Sequence, residues 1–146
     1  KSAKGWSDFG GRLENSETPF SAAIREGSEE LTGFLGNKAQ LKKLIRNNGG
    51  VYKLKHNNYH IHMFCIQYDE NLPLYFNQNH SFLWNNMDHD VLHKTKLFEK
   101  IEIGWFSIED MKKKRKDFRN FYQHIVDLLC DDIDNIQSFA SSRFKK

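Results

Sequence analysis

Apolar and polar residues follow two periods along this chain, the helical one and the period of two that marks a strand. Thr18-Pro19 opens a helix running to about Leu31: threonine is a fair N-cap, proline suits the first helical position and Gly33 supplies a stop. Leu41, Leu44 and Ile45 stand at helical spacing within 38–48 and predict a second short helix, ended by Gly49-Gly50. Val51 to Lys55 and Tyr59 to Tyr68 read as two strands joined through His56-Asn57-Asn58, a hairpin by length and turn chemistry. The second strand is apolar on both faces and is therefore expected at the centre of a sheet. Ile101 to Phe106 resumes strand character, and Ser107-Ile108-Glu109-Asp110 has the form of a helix-start box with Asp in place of Glu. Phe118, Phe121, Tyr122, Ile125, Leu128, Leu129 and Ile136 then fall on one stripe of a last helix, suited to packing on a sheet. Two stretches lack a clear period. Lys1 to Glu17 reads as irregular chain around a short extended piece, Trp6 to Phe9, punctuated by Gly10-Gly11. Residues 69–97, rich in Asn, Asp and His, read as a long irregular insertion, with room for one short strand, of the kind that carries specificity.

A chain of 146 residues with these elements is expected to form a single domain, 1–146, with one site. Aromatics at 14% and charged residues at 28% with two prolines exclude the disordered class. The formal charge of +3 permits an anionic partner but is too small to argue for nucleic acid by itself. Cys65 and Cys130 lie far apart outside any thiolate motif, so neither a disulfide framework nor a thiolate zinc site is indicated. A reducing, cytoplasmic compartment fits. No apolar run has the length of a membrane span, and no signal-peptide pattern is present, so the protein reads as soluble. The chain opens on Lys1, not on methionine.

The informative segment runs from Gly11 to Gly33. On the predicted helix Glu26, Glu29 and Glu30 stand at i, i+3 and i+4, so their side chains share one face. Three like charges there repel and weaken the helix unless cations neutralise them. Hard oxygen ligands at this spacing suit Mg²⁺ or Mn²⁺, with a phosphate completing the shell. A guanidinium beside carboxylates fixes their orientation, and glycines allow close backbone approach to an ion.

Written from Gly11, the segment resembles the Nudix box, G-x5-E-x7-R-E-U-x-E-E-x-G-U: Gly11, Glu17, Arg25, Glu26, Glu29 and Glu30 occupy its fixed positions. Gly27 stands where the box has a bulky apolar residue. The closing glycine falls at Thr32, with Gly33 one residue late, which implies an extra residue at the helix exit. The resemblance implies an α/β/α sandwich around a mixed β-sheet, and, since only ten residues precede Gly11, N-terminal strands missing from this chain. It implies Glu26, Glu29, Glu30 and the Gly10 carbonyl as metal ligands, Arg25 as the residue that orients the glutamates, and Glu17 as support between loop and helix. The stretch from Phe98 to Met111 resembles the late strand and helix entrance of such domains, which makes Glu99 or Glu102 an additional acidic group at the metals.

Lys112, Lys113, Lys114, Arg115 and Lys116 form the strongest basic run, followed by Arg119, Arg143, Lys145 and Lys146. Such runs are usually solvated; the functional reading is a track for RNA phosphates. Trp84, Trp105, Tyr59 and Tyr75 are candidates to stack a base, against a core role. His60, His62 and Cys65 do not form a good metal set, because Cys65 falls on the strand face opposite the histidines; His80, His89 and His93 lack ligand spacing. The expected activity is a metal-dependent diphosphate hydrolase, with removal of the mRNA 5′ cap preferred. That preference rests on the lysine run, the insertion and a Lys-, Asn- and Phe-rich composition like that of large DNA viruses, in which case the host cytoplasm is the compartment. Free nucleotides, dinucleoside polyphosphates and inositol pyrophosphates are the alternative substrates. A non-catalytic RNA- or nucleotide-binding module is the competing class, disfavoured because a binder need not keep three repelling carboxylates. No specific protein partner is evident.

Overall fold

The computed structural model of the chain describes residues 5–94 and 100–143. Among them the architecture is mixed α and β, in the order α1 (Pro19–Glu30), α2 (Lys38–Asn47), β1 (Tyr52–His56), β2 (Tyr59–Met63), α3 (Asn71–Asn86), α4 (His89–Lys94), α5 (Ile108–Lys113), α6 (Asn120–Asp131) and α7 (Ile133–Arg143). The described residues gather in two compact units. One is drawn from residues 5–8, 47–65 and 106–143, the other from residues 9–46, 66–94 and 100–105.

The second unit carries α1. Thr18 is extended at the N-cap and its hydroxyl accepts the Ser21 N–H at 3.1 Å, with Pro19 in the first turn, as the sequence predicts. The exit differs from expectation. Thr32 N–H donates to the Glu29 carbonyl at 3.0 Å and Gly33 N–H to the Ser28 carbonyl at 3.2 Å, which is a Schellman turn closed around Thr32 at φ +50°. No extra residue is inserted: Thr32 itself takes the left-handed conformation at the position where the sequence motif has its glycine. Gly27, the other departure, is not required by crowding, since a Cβ there would make only ordinary contact, 3.6 Å, with Leu41.

Helix α2 starts on a reciprocal cap that the periodicity did not reveal. The Asn37 amide oxygen accepts the Gln40 N–H at 2.9 Å, and the Gln40 side chain accepts the Asn37 N–H at 2.8 Å. The stretch expected to be irregular is largely helical, as α3 and α4. Pro73 lies in the first turn of α3, where its missing N–H costs nothing. Periodicity failed here because apolar residues surround the helix: Phe76 is buried, while Leu74, Tyr75 and Phe82 are exposed.

The strand expected over Ile101 to Phe106 is irregular chain, with no ladder among the described residues. The Asn77 side chain replaces a strand partner, accepting the Ile103 N–H at 3.0 Å and donating to the Ile103 carbonyl at 3.2 Å. Ile103 is thereby held in a small core with Leu31 and Phe76, packed by Leu35 and Leu72. The Trp105 indole N–H donates to the Asp69 carbonyl at 2.8 Å.

In the first unit the hairpin forms in the expected place, with Leu54 opposite Ile61 and His56 opposite Tyr59 across the Asn57-Asn58 turn. Asn57 takes φ +54°, which asparagine tolerates better than most residues. The second strand is shorter than its apolar run, ending at Met63. It is not central: among the described residues the sheet has two antiparallel strands, not the mixed sheet expected. Trp6 adds one parallel bridge to Phe118. The Ser107-Asp110 capping box opens α5 as read from sequence. The last helix is two helices, broken at Asp132, whose carboxylate accepts the Tyr52 hydroxyl at 2.5 Å and the Asn135 amide at 2.7 Å. Tyr122, Ile125, Val126 and Leu129 bury against Ile61 and Phe118; Phe121, expected on that stripe, is 45% exposed.

The helix exit yields a stability prediction. Left-handed backbone at a Cβ-bearing residue costs about 1–2 kcal/mol, and the Thr32 hydroxyl is buried with no hydrogen-bond partner. Thr32→Gly removes both penalties at a backbone-entropy cost of roughly 0.5–1 kcal/mol, so it should stabilise the protein by about 1 kcal/mol. The urea denaturation midpoint should rise at unchanged slope, and a fall would contradict the strain at this turn.

Candidate functional site

The site is built around Arg25, which projects from the middle of α1 and is only 7% exposed. Its Nε and Nη2 donate to the two carboxylate oxygens of Glu17, each at 2.9 Å, in a two-pronged ion pair. Nη1 donates to Glu26 Oε1 at 2.8 Å, and Nη2 also reaches the Arg12 carbonyl at 3.1 Å. Glu14 Oε1 and Glu29 Oε2 lie farther out, each 3.7 Å from Nη1. Glu17 in turn closes its own turn, accepting the Glu14 N–H at 2.8 Å while its N–H donates to the Glu14 carbonyl at 3.1 Å. One guanidinium therefore ties the 12–17 loop to the helix.

Glu30 is more buried still, at 3% exposure. Its Oε2 accepts the Gly10 N–H at 3.2 Å and lies 3.7 Å from Lys100 Nζ. Gly11 passes so close to the Glu26 carboxylate that a Cβ at position 11 would collide with it. The glycine pair thus brings the loop backbone onto two of the three helix glutamates. Glu29 is the most accessible of the three, with 30% of its side chain exposed against 12% for Glu26 and 3% for Glu30.

Among the described residues the ion pairs here join five carboxylates (Glu14, Glu17, Glu26, Glu29, Glu30) to two cations (Arg25, Lys100), so negative charge is in excess in these pairs. A bare diphosphate is repelled by such a surface, whereas a divalent cation is attracted to it. The donors suit a hard cation in kind, being all oxygen. Their present directions are set by Arg25, Gly10 and Lys100, and among the described residues no three Asp, Glu, His or Cys side chains converge on one point. Gly10 takes part through its N–H.

The remaining sequence candidates separate. Glu102 is exposed, and Glu99 lies outside the described residues. Lys100, between them in sequence, lies 3.7 Å from Glu30; as a lone lysine in no motif it gave no signal. Arg12, likewise unmarked, contributes through its carbonyl. In the basic run Lys112, Lys113, Lys114 and Lys116 are exposed. Arg115 is committed elsewhere, donating to both Asp127 carboxylate oxygens at 2.7 and 2.8 Å and to Gln123 at 3.0 Å, which corrects its assignment as a phosphate contact. Of the candidate stacking residues, Tyr59 packs on the first unit's core and donates its hydroxyl to Asp8 at 2.5 Å. Trp84 stacks on His89 at 3.8 Å, and Trp105 packs against Tyr68 at 5.2 Å. Tyr75 is 58% exposed. An open cleft of about 260 Å³ lies elsewhere, lined by His56, Tyr59, Phe121 and His124 among others and by no glutamate. Among the described residues no helix is long and apolar enough to cross a membrane.

Comparison with protein-family models finds no match to this chain, and curated proteins and solved structures give no significant one. The site is therefore read from its own geometry.

Arg25 and the Glu14 N–H hold the Glu17 carboxyl down to about 2, from an ordinary 4.5. A depressed carboxylate stabilises the fold above its unfolded value and loses that contribution as pH falls through the folded one. Wild type should thus lose stability between about pH 4.5 and 2. Glu17→Gln should be less stable at neutral pH and show a shallower acid decline, the two curves converging near pH 2. Denaturation midpoints across that range check this, and parallel curves would refute the pairing.

Proposed function

We propose that this chain is a metal-dependent hydrolase of the Nudix type, which opens a diphosphate linkage in a nucleotide-like substrate, with the 5′ cap of mRNA preferred. The observation that carries the reading is the arrangement around Arg25. Residues of the box come together in the fold: Glu17 and Glu26 meet on the buried Arg25 guanidinium, and Gly11 passes close against the Glu26 carboxylate. The left-handed turn at Thr32, in the place of the box's closing glycine, supports the same register. The sandwich of such domains belongs to this proposal too, the described sheet being limited to the hairpin.

In this reading Glu26, Glu29 and Glu30 hold Mg²⁺ or Mn²⁺. The ion supplies neutralisation of the diphosphate oxygens and acidification of water. The chain's own residues do the positioning. Arg25 fixes Glu26 and Glu17, so the ligand face needs little reorganisation on binding. Gly10 pins Glu30 through its N–H. Glu29, the most open carboxylate, is the one best placed to exchange partners with an incoming ligand. The exposed lysines of 112–116 supply the preference for a polyanion over a small nucleotide.

Glu29→Gln and Glu30→Gln remove a charge at constant volume. Each should lower turnover by roughly a hundredfold or more while the fold persists. The measurement is a substrate panel with Mg²⁺ and Mn²⁺ that compares cap-labelled RNA, free cap analogue, nucleoside triphosphates and ADP-ribose, with products identified. Near-normal activity of both variants at saturating magnesium would overturn the site, and the products decide the substrate class.

Replacing Lys112, Lys113 and Lys114 with alanine separates RNA from small nucleotides. Binding of long capped RNA should weaken, and the magnitude of its log-log salt slope should fall by roughly 0.7 per lost phosphate contact. Free cap analogue should be little affected. Equal loss on both ligands, or none on either, would remove the case for capped RNA.

A further inference from the structure

We propose that the basic face of α2 is a phosphate track, which holds the backbone of a single-stranded RNA substrate by direct charge contact. The inference rests on the capped-RNA reading above and deepens it by naming where the RNA chain is held; it calls for no metal ion.

Lys38, Lys42 and Arg46 stand at i, i+4 and i+8 along one side of α2, with Lys43 beside them, and all four are exposed. Successive members of the row are about 6 Å apart along the helix axis. Among the described residues none of the four side chains makes an ion pair or a hydrogen bond. Like charges at this spacing weaken a helix, and neighbours in sequence bring no relief. Between Glu30 and Asp69 the chain has six Lys or Arg and no Asp or Glu. The row is thus a positive surface held at a cost to its own helix, which an anion from outside would remove.

The row lies in the unit that carries α1, whereas the 112–116 run belongs to the other. Leu41, on the buried face of α2, stands against Gly27 of α1, where a Cβ would lie 3.6 Å from it. Lys38 adds to Arg25 and the Glu14 N–H in lowering the Glu17 carboxyl, so the row begins within electrostatic reach of the glutamate cluster. The chemistry of the row selects its partner. Leu41 and Ile45 are buried, so the apolar side of this helix is already used and leaves no stripe to enter a lipid surface or a protein groove. A lone phosphate is bound best by guanidinium forks, and only one of the four cations is an arginine. Point charges that recur every helical turn suit an anion whose charges recur too, and each contact gains from the counterions that the RNA releases.

The test uses the whole chain in EDTA, so that nothing is turned over, and follows a fluorescent single-stranded RNA by anisotropy across a salt series. The combined variant Lys42→Ala, Lys43→Ala and Arg46→Ala should bind long RNA roughly tenfold or more weakly at low salt, with the log-log salt slope smaller in magnitude by about 2. A labelled dinucleotide, too short to span the row, should lose little. The Tm should not fall, because alanine favours the helix and the repulsion is gone, so lost binding is not unfolding. Lys42→Arg with Lys43→Arg should keep the wild-type slope. Unchanged affinity and slope in the alanine variant, with wild type binding RNA, would overturn the track and leave the hydrolase reading standing; so would an equal loss on RNA and dinucleotide. Wild type binding phosphatidylserine vesicles in preference to RNA would overturn it as well, giving the face to a membrane. Wild type that binds no RNA but turns over small nucleotides with Mg²⁺ would sink this inference and the capped-RNA preference together, and the hydrolase would remain.

Discussion

A buried charge has to be answered locally, and the guanidinium of Arg25 is where this chain meets that requirement. Arg25 is one of the buried residues of α1, with Ala22, Ile24 and Glu30, so the head group is largely out of water. Five N–H donors in a rigid fork then need acceptors in fixed directions. Glu17 takes two, Glu26 one and the Arg12 carbonyl one. A loop with no regular secondary structure is thereby given a single conformation. Buried ion pairs of this kind organise more than they stabilise, since desolvation offsets much of the Coulomb gain.

The electrostatic character of the site follows from how unequally the glutamates are treated. Glu17 is spent on Arg25 and on its own turn. Glu26 is shared between Arg25 and the close passage of Gly11. Glu30 is buried, with the Gly10 N–H and the Lys100 ammonium among its partners, and Glu29 is left the most open of the three. The surplus is negative, on a chain whose overall charge is positive. A diphosphate approaching such a surface needs a cation between, which is the physical basis for placing a hard metal ion in the proposed activity.

The other unit solves a different problem. Its core is an aromatic and aliphatic cluster of the hairpin and α6, and Arg115 braces α6 through Asp127 and Gln123. The lysines beside it are left to solvent. A charge run thus contains two kinds of residue, one structural and the rest available, and only the acceptors on α6 distinguish them.

The sequence by itself determined what depends on neighbours along the chain. Caps at Thr18 and Ser107, the hairpin at Asn57, the span of α1 and the sharing of one face by Glu26, Glu29 and Glu30 are local, set by hydrogen bonds or periods within a few residues. The spaced motif also marked Glu17, Arg25 and Glu26, which the fold joins in ion pairs, but not the Arg12 carbonyl that shares the guanidinium. Tertiary structure decided the rest. Ile101 to Phe106 had the composition of a strand, but a strand exists only where another chain segment offers its backbone, and here the Asn77 amide offers two bonds instead. Helix α3 was hidden because its exposed and buried apolar residues look alike until something packs on Phe76. Lys100 entered the site, and Arg115 left the basic run, through contacts made across 70 and 12 positions of sequence respectively. No period or local propensity encodes a meeting at such separations; only the folded backbone brings those charges together.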